Sequence, residues 1–290
     1  AQSVEVTSEF EYWQRLAKEG ITRVQADYPE GENLEKDSVS IQVSLDEERT
    51  NALLKEVPKV LHNEINHSLL AALTKAFEKV TGESRLFIEM EGHGREDIFG
   101  DLDLSRTIGW FTSIFPVLLD SEGVTGVKET VDKVKEQLQQ IPGKGIGYGI
   151  LKYLTKIEEI RTGMKMIPHA EIAFNYLGQF DNNANDDSTI IPAQEAKGPE
   201  RGPSNKRPYL IEITSGIMKG RLTVEWVFSA KQFNSKTIQN LADAYIYEIQ
   251  KIVDFVKLQS IDFKANEFSE FGWDQQELDK ILSVLNGSKE

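Results

Sequence analysis

The 290-residue chain has no cysteine, so disulfides, thiolate metal sites and a cysteine nucleophile are all excluded. It also lacks an excess of basic charge: 33 Lys and Arg stand against 47 Asp and Glu, a net charge of −14. A nucleic-acid binder carries a basic footprint, so no nucleic-acid partner is expected. No apolar run approaches the length that crosses a bilayer, so no membrane partner is expected either. Residues 1–11 carry Glu5, Glu9 and Glu11 where a secretory signal has a basic start and an apolar block, so a cytoplasmic location is expected. The four histidines, His62, His67, His93 and His169, form no cluster with ligand spacing, and no HExxH pattern occurs, so no metal is expected. No GxSxG elbow occurs, which weighs against an ordinary serine hydrolase. No internal repeat or low-complexity tract interrupts the chain.

What is present is an alternation of strand and helix patterns. Phe10, Trp13 and Leu16 recur at helical spacing before Gly20. The polar stretch 27–37, with Pro29 and Gly31, reads as a connector. Val39–Leu45 alternates as a strand, and Asp46 is placed to cap a helix over 47–61 that Pro58 kinks or splits. Ile65, Leu69, Leu73, Ala76 and Val80 share one face of a helix that Gly82 ends. Strands are expected over 85–91 and 112–119, with Pro116 placing the second at an edge or a bulge. Helices are expected over 124–141 and 150–160, and a strand over 170–180. A long loop over 181–208 leads to a hairpin, 209–217 and 221–228, around Lys219–Gly220. A helix over 235–258 follows, and a last amphipathic piece lies at 274–285. Helices long enough to cover one sheet predict an α/β fold, a two-layer sandwich.

Chemistry concentrates in four segments. Glu91-Gly92-His93-Gly94-Arg95-Glu96 follows a strand, where two glycines allow a tight turn. It reads either as a surface turn with a salt bridge or as a place for acid–base work, with Arg95 holding a carboxylate or a substrate oxygen. Arg106 through Ser113 puts Trp110 and Phe111 beside Gly109, as core packing or as the lining of a channel for a narrow apolar arm. Gly143, Gly145, Gly147 and Gly149 lack the dinucleotide spacing and follow a helix, so a flexible loop or close helix–sheet packing is expected there. In Phe174–Phe180, strand alternation sends Asn175 and Leu177 to one face and Phe174 and Tyr176 to the other. Tyr176 reads as a satisfied core hydroxyl or as a proton donor.

In this order, EGHGRE, RTIGWFTSIFP, PGKGIGYG and FNYLGQFD resemble the successive C-terminal motifs of epimerization domains of nonribosomal peptide synthetases. The stretch from Glu56 to Leu73 resembles the motif that precedes them, departing at Asn63, His67 and Ser68, where the family more often has Thr, Asp and Ile. The resemblance implies a chloramphenicol-acetyltransferase-like lobe with a mixed sheet covered by helices, working in antibiotic-type secondary metabolism as an isomerase. It implies an interlobe helix and connector at 1–38, the C-terminal lobe at 39–265 and a linker or tail at 266–290. By matching motifs, Glu91, Arg95, Asn175 and Tyr176 are implied as catalytic residues, and His93, Trp110, Phe111, Thr112 and Ser113 as substrate-binding ones. No cofactor of its own is implied, because the substrate rides on the 4′-phosphopantetheine arm of a peptidyl carrier protein. The family's HHxxxDG motif is absent from this sequence, so an N-terminal lobe bearing it is implied as a partner. Related condensation-type acyltransferases, and a carrier-docking module without catalysis, are the competing expectations.

Overall fold

A computed structural model describes residues 1–19, 23–95, 103–104, 106–180, 198 and 200–269, with side chains in the last helix described to Gln259. In chain order the elements are α1 (Val4–Ser8), α2 (Phe10–Lys18), β1 (Ser38–Ser44), α3 (Glu47–Lys55), α4 (Val57–Leu61), α5 (Ile65–Thr81), β2 (Arg85–Gly92) and β3 (Ser113–Asp120). Then come α6 (Val127–Gln139), α7 (Ile146–Leu154), α8 (Glu158–Lys165), β4 (Ile172–Gln179), β5 (Ile211–Met218), β6 (Arg221–Ser229) and α9 (Ser235–Ser269). The strands form one six-stranded mixed sheet in the order β1-β6-β5-β4-β2-β3. β4 runs parallel to both β2 and β5, and the other pairs are antiparallel.

The register explains the layering. One row across the sheet reads Ile41, Trp226, Ile213, Phe174, Met90 and Phe115, apolar throughout. The next row, on the opposite face, reads Gln42, Glu225, Thr214 and Asn175, and on β2 Glu91. Helices cover the apolar face, because an apolar surface of this extent gains roughly 1.5–3 kcal/mol for each large side chain it buries. Phe77 of α5 stacks on Trp226, and Tyr245 of α9 meets the same indole edge-on. On the polar face, α7 packs against β3, and Tyr148 lies close enough to feel the charge of Glu89. Trp13 of α2 packs against Tyr148, so α2 joins α7 there.

Local signals account for most element ends. Asp46 accepts the backbone N–H of Arg49 at 2.8 Å, and Gly82 closes α5 at φ 81°. Pro58 splits the expected 47–61 helix by sitting in the first turn of α4. Pro116 lies on the edge strand β3, where its missing N–H costs no ladder bond. Lys219 and Gly220, both at positive φ, turn the β5–β6 hairpin.

The helix expected over 150–160 is corrected. The chain breaks at Thr155, which is extended, into α7 and α8. The glycine stretch moves the start of α7 back to Ile146: Gly145 has φ 85°, and a Cβ there would lie 2.2 Å from the Phe115 ring. That is close helix–sheet packing rather than a flexible loop. α9 runs to Ser269, past the expected end at residue 258, since no Gly or Pro interrupts residues 259–269. Glu96, residues 181–197 of the expected long loop, and the amphipathic piece at 274–285 lie outside the described residues.

Candidate active site

β2 and β4 run parallel, and their C-terminal ends open into a cleft of about 710 Å³. Carboxyl ends of adjacent parallel strands are where open α/β sheets place their ligands. Two walls meet here. The polar face contributes Glu91 and Asn175, and the helix-covered side contributes Met90, Tyr176 and the first turn of α5 with Asn66 and His67.

Glu91 stands at the exposed mouth. Asn175 Nδ2 donates to Glu91 Oε2 at 2.7 Å, a contact set by the parallel register of β2 and β4. Burial raises the Glu91 carboxyl above its ordinary range, and it is the sole cause of that rise among the described residues. The expectation that Arg95 holds a neighbouring carboxylate is corrected for Glu91: the Arg95 guanidinium donates to the carbonyls of Leu104 at 2.6 Å and Gly109 at 3.3 Å and lies 4.3 Å over the Phe111 ring. The turn that aims it depends on Gly94, at φ 65°, where a Cβ would lie 1.6 Å from the Phe111 carbonyl oxygen. The Arg95 backbone N–H in turn donates to His93 Nδ1 at 3.0 Å. EGHGR is therefore a clamp on Leu104 and on the loop 106–111.

That loop carries Trp110, which is 89% exposed and lines the cleft together with His93 and Thr112. Phe111 and Ser113, expected to bind substrate, do not line it. Phe111 lies beneath Arg95, and Ser113 pairs with Gly92 at the start of β3. Tyr176 is half-buried, and burial lifts its hydroxyl above the usual range, so it stays protonated near neutrality. Because it alternates with Asn175, it reaches the cleft from the other side of the sheet. Glu64, Asn66, His67 and Lys144 also line the cleft, and the sequence patterns single out none of the four as a site residue. The departure at His67 from the family pattern is the one signal that points to it.

Two residues before Glu91 on the same face, Glu89 is buried and accepts from Tyr209 Oη at 2.6 Å, with His169 Nδ1 at 3.9 Å. Among the described residues no group of three or more His, Asp or Glu side chains is placed to hold a metal, and no helix is long and apolar enough to cross a membrane.

Comparison with known proteins bears on the family and the fold. The condensation-domain family model matches residues 1–262. The chain is 39% identical over 98% of its length to a linear gramicidin synthase of Brevibacillus parabrevis, and 32% identical over 99% to bacitracin synthase 3 of Bacillus licheniformis. It spans only 4% of each of those two synthases. The crystal structure of the epimerization domain from the third module of tyrocidine synthetase B superposes with a TM-score of 0.80 at 33% identity, covering 88% of this chain and 56% of that one. The X-domain from teicoplanin biosynthesis shares the fold, with a TM-score of 0.63 at 16% identity, covering 87% of this chain and 56% of that one. With its mixed α/β sheet and helix layer, the chain belongs to the condensation-domain family of nonribosomal peptide synthetases.

Proposed function

We propose that this chain is one lobe of an epimerization domain, which removes the α-proton of an aminoacyl or peptidyl thioester and returns it to either face. The observation that carries this reading is Glu91: a carboxylate at a cleft mouth, made more basic by burial and oriented by a neutral amide rather than a cation. Such a group suits proton transfer, which typically contributes about 10²–10⁴-fold in rate. In the forward step the C–H electron pair passes into the thioester to give an enolate, and the proton goes to Glu91. In the return step a proton re-forms the C–H bond and the carbonyl is restored. Tyr176, protonated and in the same cleft, is a donor for the enolate oxygen or for the returning proton.

Asn175 orients Glu91, and Arg95 acts by positioning the loop that presents Trp110. His93, Trp110 and Thr112 line the way in for a pantetheine arm on a peptidyl carrier protein, with Phe111 and Ser113 supporting the loop from behind. No further cofactor is required by this chemistry. An N-terminal lobe bearing the HHxxxDG motif supplies an imidazole across the cleft.

The second reading is a condensation-type acyltransferase, favoured by the family model that matches the chain. The chain completed by its partner lobe and given one loaded carrier separates the two. Appearance of the D-form supports epimerization. Amide product that appears only with two loaded carriers, and no stereochemical change with one, supports condensation.

A further inference from the structure

His67 is the third residue of α5 and forms a capping box with Glu64. Its Nδ1 accepts the Glu64 backbone N–H at 2.9 Å, and the His67 backbone N–H donates to the Glu64 backbone carbonyl at 3.0 Å. A neutral imidazole carries one ring hydrogen, so with Nδ1 accepting, that hydrogen sits on Nε2. Burial keeps the ring neutral by lowering its basicity; Lys135 adds to this and Glu64 opposes it. Nothing among the described residues bonds to Nε2, and the ring lines the cleft that holds Glu91, Asn175 and Tyr176.

An Asp at this position would accept the same Glu64 N–H but bring a negative charge and no donor. The two neighbouring departures keep the helix start intact: Asn63 Nδ2 donates to Ser68 Oγ at 2.7 Å, and both residues are buried. The His67 ring thus serves the helix start through Nδ1 and leaves an Nε2 donor toward the cleft, where an Asp would offer only an acceptor.

We propose that His67 is a specificity-determining residue of this cleft, its Nε2–H donating a hydrogen bond to an acceptor on the bound acyl group. This rests on the reading that a thioester-linked acyl group occupies the cleft. His67 and Tyr176 approach that group from the helix-covered side and Glu91 from the polar face, so the base and the selector act from different walls. The acyl groups favoured are those whose side chain carries a carbonyl or similar acceptor.

The test uses two unreactive probes on the full chain: pantetheine amides of 4-oxonorvaline and of leucine. They are close isosteres, and only the first carries a side-chain ketone. Wild type is expected to bind the ketone probe roughly three- to tenfold more tightly, the yield of one net hydrogen bond. The ¹⁵N resonance of His67 Nε2 is expected to shift with the ketone probe and stay put with the leucine one. His67→Asp keeps the Glu64 cap and is expected to lose the preference while retaining its unfolding temperature. Equal affinity for both probes, binding of neither, or a preference that survives His67→Asp overturns the proposal. If Glu91→Gln abolishes α-proton exchange while the probes bind equally, the proposed function stands and this inference falls.

Discussion

Glu89 and Glu91 point from the same face of β2, two residues apart, into different surroundings. Glu89 lies inside, with the Tyr209 hydroxyl on its oxygen and His169 near. Glu91 lies where the strand ends, with one neutral amide on its oxygen and the cleft in front of it. The comparison separates a carboxylate whose partners are structural from one left available for a proton. The difference lies in position along the strand, since residue type and facing are shared.

The largest expected effect breaks that pair apart. Glu91→Gln in the completed domain is expected to slow inversion of a carrier-bound aminoacyl thioester by about 10²–10⁴-fold, read by chiral chromatography. Glu89→Gln keeps an acceptor for Tyr209 and is expected to slow it by less than about tenfold. Next in size is the contrast between the two faces of the sheet. Trp226→Ala, beneath Phe77 and Tyr245, is expected to cost about 3–5 kcal/mol in denaturant unfolding. Gln42→Ala, on the exposed polar row, is expected to stay within about 0.5 kcal/mol of wild type. Glu89→Ala strands the Tyr209 hydroxyl and is expected to cost about 1–3 kcal/mol by the same measurement.

Smaller effects sharpen the comparison through pH. Burial raises the Glu91 carboxyl, so the rising limb of the pH–rate profile, where the base form appears, is expected above the ordinary carboxylate range. Asn175→Asp places a like charge 2.7 Å from Glu91 and is expected to move that limb to higher pH. Stability follows the same sign. A carboxyl with a raised folded-state pKa binds its proton more tightly when folded, so its stabilisation is present below the unfolded pKa and is lost as pH rises through the folded one. Glu91→Gln is therefore expected to raise the unfolding temperature slightly at neutral pH, with the gain shrinking as pH falls into the carboxylate range.

Much of the layout is legible in the residues, because strand alternation and end signals are local. Asn175 and Tyr176 had to face opposite ways, Pro116 had to sit at an edge or bulge, and Lys219–Gly220 had to turn a hairpin. Which strands become neighbours is not local. The parallel pairing of β2 with β4, which joins Asn175 to Glu91 across 84 residues, depends on tertiary packing. The partners of Arg95 are hidden for the same reason. Its reach is set by the Gly94 turn and by a loop that closes over it, and neither is visible as a spacing. His67 shows in the sequence only as a departure from the family pattern, because the group that orients its ring, a backbone N–H three residues earlier, leaves no ligand or catalytic spacing.

The central claim is that Glu91 accepts the α-proton. Its most direct test is deuterium wash-in at the α-carbon of one carrier-bound aminoacyl thioester in deuterated water, with wild type, Glu91→Gln and Glu89→Gln compared in the completed domain. Label entering with wild type and Glu89→Gln, and failing to enter with Glu91→Gln, is the predicted result. Label entering at the wild-type rate with Glu91→Gln contradicts it.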